Sequence, residues 1–172
     1  MPAASLPTIS LVPLSSDAVT ALAERDFARA DADFGAKLPP IVRDNTWLWR
    51  LRRDQLRTTP DDVRWVARVF VDHAGTVIGH AGFHGGPDES GMVEVGYSVD
   101  TAYRGRGFAK AALAALIDWA RSEPDVHTLR ATVSPDNAPS LAIVCGAGLV
   151  ENGEQWDERD GIELIFEMPV PG

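Results

Sequence analysis

Val95-Gly96-Tyr97-Ser98-Val99-Asp100-Thr101-Ala102-Tyr103-Arg104-Gly105-Arg106-Gly107-Phe108-Ala109 changes periodicity half-way along its length. Val93, Val95, Tyr97 and Val99 alternate with Glu94, Gly96 and Ser98, which predicts a strand over Met92–Val99. An alanine-rich helix is expected from about Gly105 to Arg121, with Phe108, Ala112, Leu116, Trp119 and Ala120 on its buried face. Between the two lies a glycine-rich turn. A helix start exposes about four N–H groups with no internal partner, and the helix dipole adds about half a positive charge there. Glycines remove the Cβ atoms that would hold a phosphate away from those groups, and Arg104 and Arg106 add cationic charge. The predicted product is a pyrophosphate site at a helix N-terminus; the plainer alternative is an ordinary glycine turn before a helix. The P-loop pattern is absent, and the third glycine of a dinucleotide-binding Gly-x-Gly-x-x-Gly is missing.

Upstream, Thr8–Leu14 reads as an edge strand limited by Pro13. Ser15-Ser16-Asp17 offers N-cap chemistry for a helix to about Ala30, with Val19, Leu22, Ala23 and Phe27 on its apolar stripe. After Pro39-Pro40, Asp44 or Asn45 can cap a second helix over Trp47–Arg57, closed by Pro60. Arg64–Val71 and Thr76–Phe83 read as a hairpin about Asp72–Gly75. Downstream, a strand over Val126–Val133, a helix over Asn137–Val144 and a hairpin of Leu149–Trp156 with Ile162–Met168 complete the order β-α-α-β-β-β-α-β-α-β-β. This is an α/β arrangement (an α+β mixed sheet) with helices on both faces. It is expected to form a single domain over residues 1–172, with a loose tail at 1–7.

The 172 residues suit one domain. Sixteen Lys and Arg against 25 Asp and Glu leave a net charge of −9. That balance argues against nucleic acid as a partner and is compatible with a cationic acceptor such as an amine. One cysteine, Cys145, excludes an intrachain disulfide or a multi-cysteine zinc site, so a reducing compartment is the default. Met1–Leu14 lacks a signal-peptide pattern, and no apolar run reaches the ~18 residues of a membrane span, so a cytoplasmic protein with no membrane partner is expected.

Arg104, Gly107 and Ala109 fill the pattern Gln/Arg-x-x-Gly-x-Gly/Ala between a strand and a helix, with Gly105 as an extra glycine. Asn137-Ala138-Pro139-Ser140 followed by Gly148-Leu149 forms a second block. In these two blocks, their spacing and the strand order before them, the chain resembles the GNAT superfamily of acyl-CoA N-acyltransferases over roughly Arg64–Met168. The resemblance implies acetyl-CoA as donor and no metal. Its pyrophosphate would rest on the backbone of Arg104, Gly105, Arg106, Gly107, Phe108 and Ala109. Its pantetheine arm would lie in a splay between the strand ending at Val99 and the strand Val126–Val133, paired by backbone groups of Tyr97 and Val99. Asn137 would contact the arm from the other side or simply cap its helix; Ser140 beside it is a further contact or a structural residue.

An alkylamine, with a pKa of about 10, must lose a proton before it attacks a thioester. Glu94 is the candidate general base, directly or through water, unless it is only a solvated strand carboxylate. A backbone N–H near Ser98 or Val99 would stabilise the oxyanion. Many family members carry a tyrosine as general acid where Val144 stands. The branch that acetylates protein N-termini, including ribosomal proteins, often lacks it, and the sequence leans that way. The expected activity is N-acetyl transfer to a small-molecule amine or a protein N-terminus. The alternative is a non-catalytic acyl-CoA-binding or sensor domain. A homodimer is left open.

The remaining candidates read more plainly. Cys145 reads as a small buried core residue. His73, His80, His84 and His127 show no metal spacing, because i and i+4 in a strand lie ~13 Å apart; His84 falls toward the acceptor side. Trp47 and Trp49 either line the acceptor pocket, where the resemblance puts this region, or pack in the core, as at least one of them is expected to do. Arg50, Arg52, Arg53 and Arg57 read as a solvated helix face. Asp157, Glu158 and Asp160 either draw in a cationic amine or merely charge a turn.

Overall fold

The computed structural model describes residues 5–171. Its elements run β1 (Ile9–Pro13), α1 (Ser16–Glu24), α2 (Phe27–Phe34), α3 (Pro40–Arg43), α4 (Thr46–Thr58), α5 (Val63–Val66), β2 (Arg68–Asp72), β3 (Val77–Phe83) and β4 (Met92–Val99). They continue α6 (Phe108–Ser122), β5 (Thr128–Val133), α7 (Ala138–Gly146), β6 (Val150–Asp157) and β7 (Gly161–Pro169).

The expected first helix is two helices. Ser15 caps α1, its hydroxyl accepting from Ala18 N–H at 3.0 Å. Arg25 then ends the helix in a left-handed conformation (φ 63°), and Asp26 caps α2 by accepting from Arg29 N–H at 3.2 Å. Phe27 therefore opens α2 rather than extending the stripe of α1. The strand expected from Arg64 starts only at Arg68. Pro60 begins a 3-10 turn that runs on into α5, so Trp65 and Val66 are helical. The Trp65 ring stacks on Trp119 of α6 at 5.5 Å, a contact that outweighs local strand preference. Of the expected loose tail, residues 1–4 lie outside the described residues, while Pro7 packs beside Gly107.

Seven strands form one sheet in the order β1-β2-β3-β4-β5-β7-β6. Only β4 and β5 run parallel, joined by the crossover helix α6. Strand alternation separates two layers. His80 of β3 meets Trp49 of α4 (ring centroids 5.4 Å), whereas Phe83, on the opposite face, meets Trp119 of α6 (4.6 Å). Phe70, Ile78, Leu113, Leu116 and Leu129 are fully buried between these layers. Cys145 departs from its expected place: it is exposed, because α7 turns Val144 inward instead.

The β3–β4 contact has no room for a side chain at Gly79. A Cβ there would lie 2.0 Å from the Ser98 carbonyl oxygen and 2.7 Å from the Phe70 ring. Gly79→Ala should therefore cost about 2 kcal/mol or more in urea unfolding. Gly146→Ala, where a Cβ meets nothing within 4 Å, should be neutral or slightly stabilising.

Candidate active site

Pairing between β4 and β5 covers only Met92↔Thr128, Val93↔Leu129 and Glu94↔Arg130. Beyond Glu94 the strands part, and a cleft of about 610 Å³ opens between them. Its walls come from α4, the end of β3, the start of α7 and the β6–β7 hairpin. The expected splay is thus a real gap, at the carboxyl ends of the two parallel strands.

Strand parity decides which backbone groups face that gap. His84 N–H donates to the Glu94 carbonyl at 2.8 Å, and Asp100 N–H donates to the Ile78 carbonyl at 2.8 Å. Glu94, Gly96, Ser98 and Asp100 therefore turn their backbone groups toward β3, and Val95, Tyr97 and Val99 turn theirs toward the opening. Of the two N–H groups considered for an oxyanion, that of Ser98 points to β3 and that of Val99 points to the gap. The Val99 carbonyl accepts from Arg104 Nε at 3.3 Å.

Just past the gap, Gly105 (φ 74°) and Gly107 (φ 84°) turn the chain into α6. Among the described residues no side chain caps this helix, so within them the N–H groups of Phe108, Ala109 and Lys110 have neither an intrahelical acceptor nor a capping one. Arg104, Gly105 and Arg106 are exposed around them, and the Arg106 guanidinium lies 5.7 Å from the Tyr103 ring centre. On the opposite wall Asn137 caps α7, accepting from Ser140 N–H at 3.2 Å. Asn137, Ser140 and Val144 all line the cleft.

Glu94 projects from β4 into the same cleft with its side chain 18% exposed. It is not a freely solvated strand carboxylate. Oε1 accepts from the Thr132 hydroxyl at 2.8 Å and lies 3.5 Å from His84 Nδ1. Partial desolvation lowers the His84 pKa and the nearby Arg52 lowers it further, while Glu94 opposes both. His80 is held deeper, its Nε2 3.3 Å from Asn45 Nδ2. Burial, followed by the Arg52 charge, pushes its pKa down to about 4, so it is neutral at ordinary pH. Burial pushes the Tyr97 phenol up to about 12.

The family model described as an acetyltransferase (GNAT) domain matches residues 9–150. The chain belongs to the GNAT acetyltransferase family. It is 34% identical over 86 residues to the uncharacterised N-acetyltransferase YjdG of Bacillus subtilis, covering 50% of this chain and 51% of that protein. It is 31% identical over 142 residues to an L-2,4-diaminobutyric acid acetyltransferase of Streptomyces coelicolor, covering 76% of this chain and 81% of that one. The chain thus spans about half the length of the first relative and four-fifths of the second. Mycobacterium smegmatis RimJ, solved in complex with CoA-disulfide, shares the fold with a TM-score of 0.65 at 22% identity, over 94% of this chain and 81% of that one.

In this GNAT chain some of the residues expected at the site line the cleft and others lie beyond the end of β4. Glu94, Tyr97, Ser98, Asn137 and Ser140 line the cleft, whereas the turn from Arg104 to Ala109 follows β4 after a 3-10 turn over Thr101–Tyr103 and is not part of the cleft lining. The tryptophans divide: Trp49 is core, donating to the Val42 carbonyl at 2.6 Å, and Trp47 is 51% exposed at the cleft mouth. There the Arg159 guanidinium covers the Trp47 ring at 3.9 Å. Asp157 and Asp160 line the cleft, and Asp157 also holds its turn by accepting from Arg159 and Asp160 N–H.

One expectation is corrected. Arg52 is not on a solvated face: it is only 7% exposed and reaches into the cleft wall, because α4 packs that side toward β3. Thr132 was not foreseen either; its alternation in β5 was the available signal. Among the described residues no group of three or more His, Cys, Asp or Glu is placed to hold a metal ion, and no helix is long and apolar enough to cross a membrane.

The depressed pKa of His80 makes stability pH-dependent. Below its ordinary value of 6.5 the unfolded chain takes up a proton that the fold refuses until about pH 4. Stability therefore falls as pH drops below 6.5 and levels off under about 4. Between pH 7 and 5 wild type should lose about 2 kcal/mol more than His80→Gln in urea unfolding. Equal losses would contradict a neutral buried His80.

Proposed function

We propose that this chain moves the acetyl group of acetyl-CoA onto a primary amine by direct attack within a ternary complex, as a cytoplasmic enzyme. The observation that carries the reading is a cleft where an unpaired strand edge meets a held carboxylate, on the strand whose continuation turns through two glycines into a helix start with no side-chain cap among the described residues. The residues present fit the donor. Free N–H groups of Phe108, Ala109 and Lys110, with Arg104 and Arg106 nearby, suit a diphosphate. The outward backbone groups of Tyr97 and Val99 suit an extended amide-bearing arm. Gly105 and Gly107 leave the approach free of Cβ atoms, and Asn137 and Ser140 bound the arm from α7.

Bound acetyl-CoA supplies an activated acyl carbon and a thiol leaving group of pKa about 8.5, which departs with little help from an acid or a metal. The chain supplies the rest. Glu94 accepts a proton from the acceptor ammonium, directly or through water, so that the nitrogen lone pair is free. Thr132 holds the carboxylate in one rotamer by its hydrogen bond. The N–H of Val99 donates toward the acyl oxygen as negative charge grows there. No tyrosine general acid is needed where Val144 stands, and nothing observed favours the sensor alternative.

The acceptor class remains small-molecule amine or protein N-terminus. The two Streptomyces relatives named for L-2,4-diaminobutyric acid bring an amino acid with a side-chain amine into that class. Asp157, Asp160 and Glu163 along the cleft, with the net charge of −9, suit the approach of a cation. A homodimer belongs to the same reading, since strand β6 at the sheet edge exposes Val150 and Trp156.

Gly107→Glu should lower coenzyme A affinity at least about a hundredfold in calorimetric titration, through bulk and like charge at the helix start. Unchanged affinity in a folded variant would overturn the phosphate assignment. Glu94→Gln should cut kcat by about a hundredfold or more while coenzyme A affinity holds. The deficit should shrink as pH approaches the amine pKa of about 10. Wild-type turnover at neutral pH in that variant would remove Glu94 from the mechanism.

A further inference from the structure

Arg52 stands apart from the other arginines of its helix. Arg50 and Arg57 are exposed, and Arg53 pairs with Asp54 at 3.0 Å. Arg52 is 7% exposed and forms no ion pair with any described carboxylate. Its Nη1 donates to Gln55 Oε1 at 2.9 Å and to the His84 carbonyl at 3.2 Å, and its buried Nε has no partner at all. The acids closest in charge are committed elsewhere. Asp62 accepts from Gln55 Nε2 at 2.7 Å, and Glu94 accepts from Thr132. A desolvated guanidinium with no direct ion pair is a costly arrangement, and burial lowers its pKa while the charges of Asp62 and Glu94 oppose that only in part. Arg52 lines the cleft, so an anion entering it would meet this guanidinium.

We propose that Arg52 is the anchor for a carboxylate on the acceptor, so that the amine acetylated here belongs to an amino acid. Charge and shape select this anion. Arg52 sits beside the base: its Nη1 holds the carbonyl of His84, whose ring faces Glu94, and Arg52 and Glu94 feel each other's charge. Glu94 repels a planar monoanion less than it would a dianionic phosphate, and a carboxylate needs only the guanidinium N–H that Gln55 and the His84 carbonyl leave free. The ammonium of the same molecule then falls toward the carboxylate of Glu94. Arg52 is thus a specificity residue for the reaction proposed above and rests on that reading.

The test compares three amino acids, L-alanine, L-lysine and L-2,4-diaminobutyrate, each with its own carboxamide. Binding to the protein saturated with coenzyme A is read by calorimetry, and transfer by thiol release. At least one free acid should bind about tenfold or more tightly than its amide, with the difference carried in KM. In Arg52→Gln, which can still bond the His84 carbonyl, KM for that acid should rise about tenfold more than KM for the amide. Arg52→Lys should recover part of the preference. Amides that bind as well as every acid, or a preference that survives Arg52→Gln, would overturn the anchor. Acid-selective binding without thiol release from any acceptor would instead leave the anchor standing and sink the proposed transfer.

Discussion

After Glu94 the two parallel strands β4 and β5 cease to exchange hydrogen bonds, and most of what is distinctive in this molecule follows from that parting. A sheet normally satisfies every interior N–H and C=O. Here the edge formed by Val95, Tyr97 and Val99 faces a cleft instead, because their neighbours spend their backbone groups on β3. The gap is held open from both sides. On one side β4 is fixed to β3 by a contact so close that Gly79 admits no Cβ. On the other, β5 is fixed to β7 along its whole length, from Thr128↔Pro169 to Val133↔Leu164. The unpaired stretch therefore stays unpaired while remaining rigid, which suits a strand-like ligand better than a mobile loop would.

The cleft joins two electrostatic regimes. Beyond the end of β4, the start of α6 and two exposed arginines favour negative charge. Inside the cleft Glu94, Asp157, Asp160 and Glu163 favour positive charge, with Arg52 set among them as a buried cation. Burial and Arg52 keep His80 from adding to that positive charge; burial also lowers the His84 pKa, with Glu94 opposing and Arg52 adding to the shift. Glu94 is thus left with a hydroxyl donor and a weakly basic imidazole as its neighbours.

The glycine turn, the strand before it and the helix after it were legible because each depends on local chemistry. Alternation placed Glu94 and Ser98 on one face and the valines on the other, and the glycines at 105 and 107 do adopt positive φ. Asn137 was legible as a cap for the same reason. The misreadings came where distant contacts overrule neighbours. Trp65 and Val66 have strand-forming side chains, yet the turn begun at Pro60 and the stack on Trp119 make them helical. Cys145 is small and apolar, but the rotation of α7 spends its inward position on Val144.

By itself the sequence determined the strand–turn–helix unit, which lies within about fifteen consecutive residues, and the family resemblance, which rests on two short blocks and the order of the strands before them. Only the tertiary structure decided the acceptor side. Arg50, Arg52, Arg53 and Arg57 are indistinguishable as a run of helical cations. Which one loses its water depends on how α4 packs against β3, and the chain segments that meet there are some thirty residues apart. Burial and pairing are properties of such long-range contacts, and no local pattern encodes them.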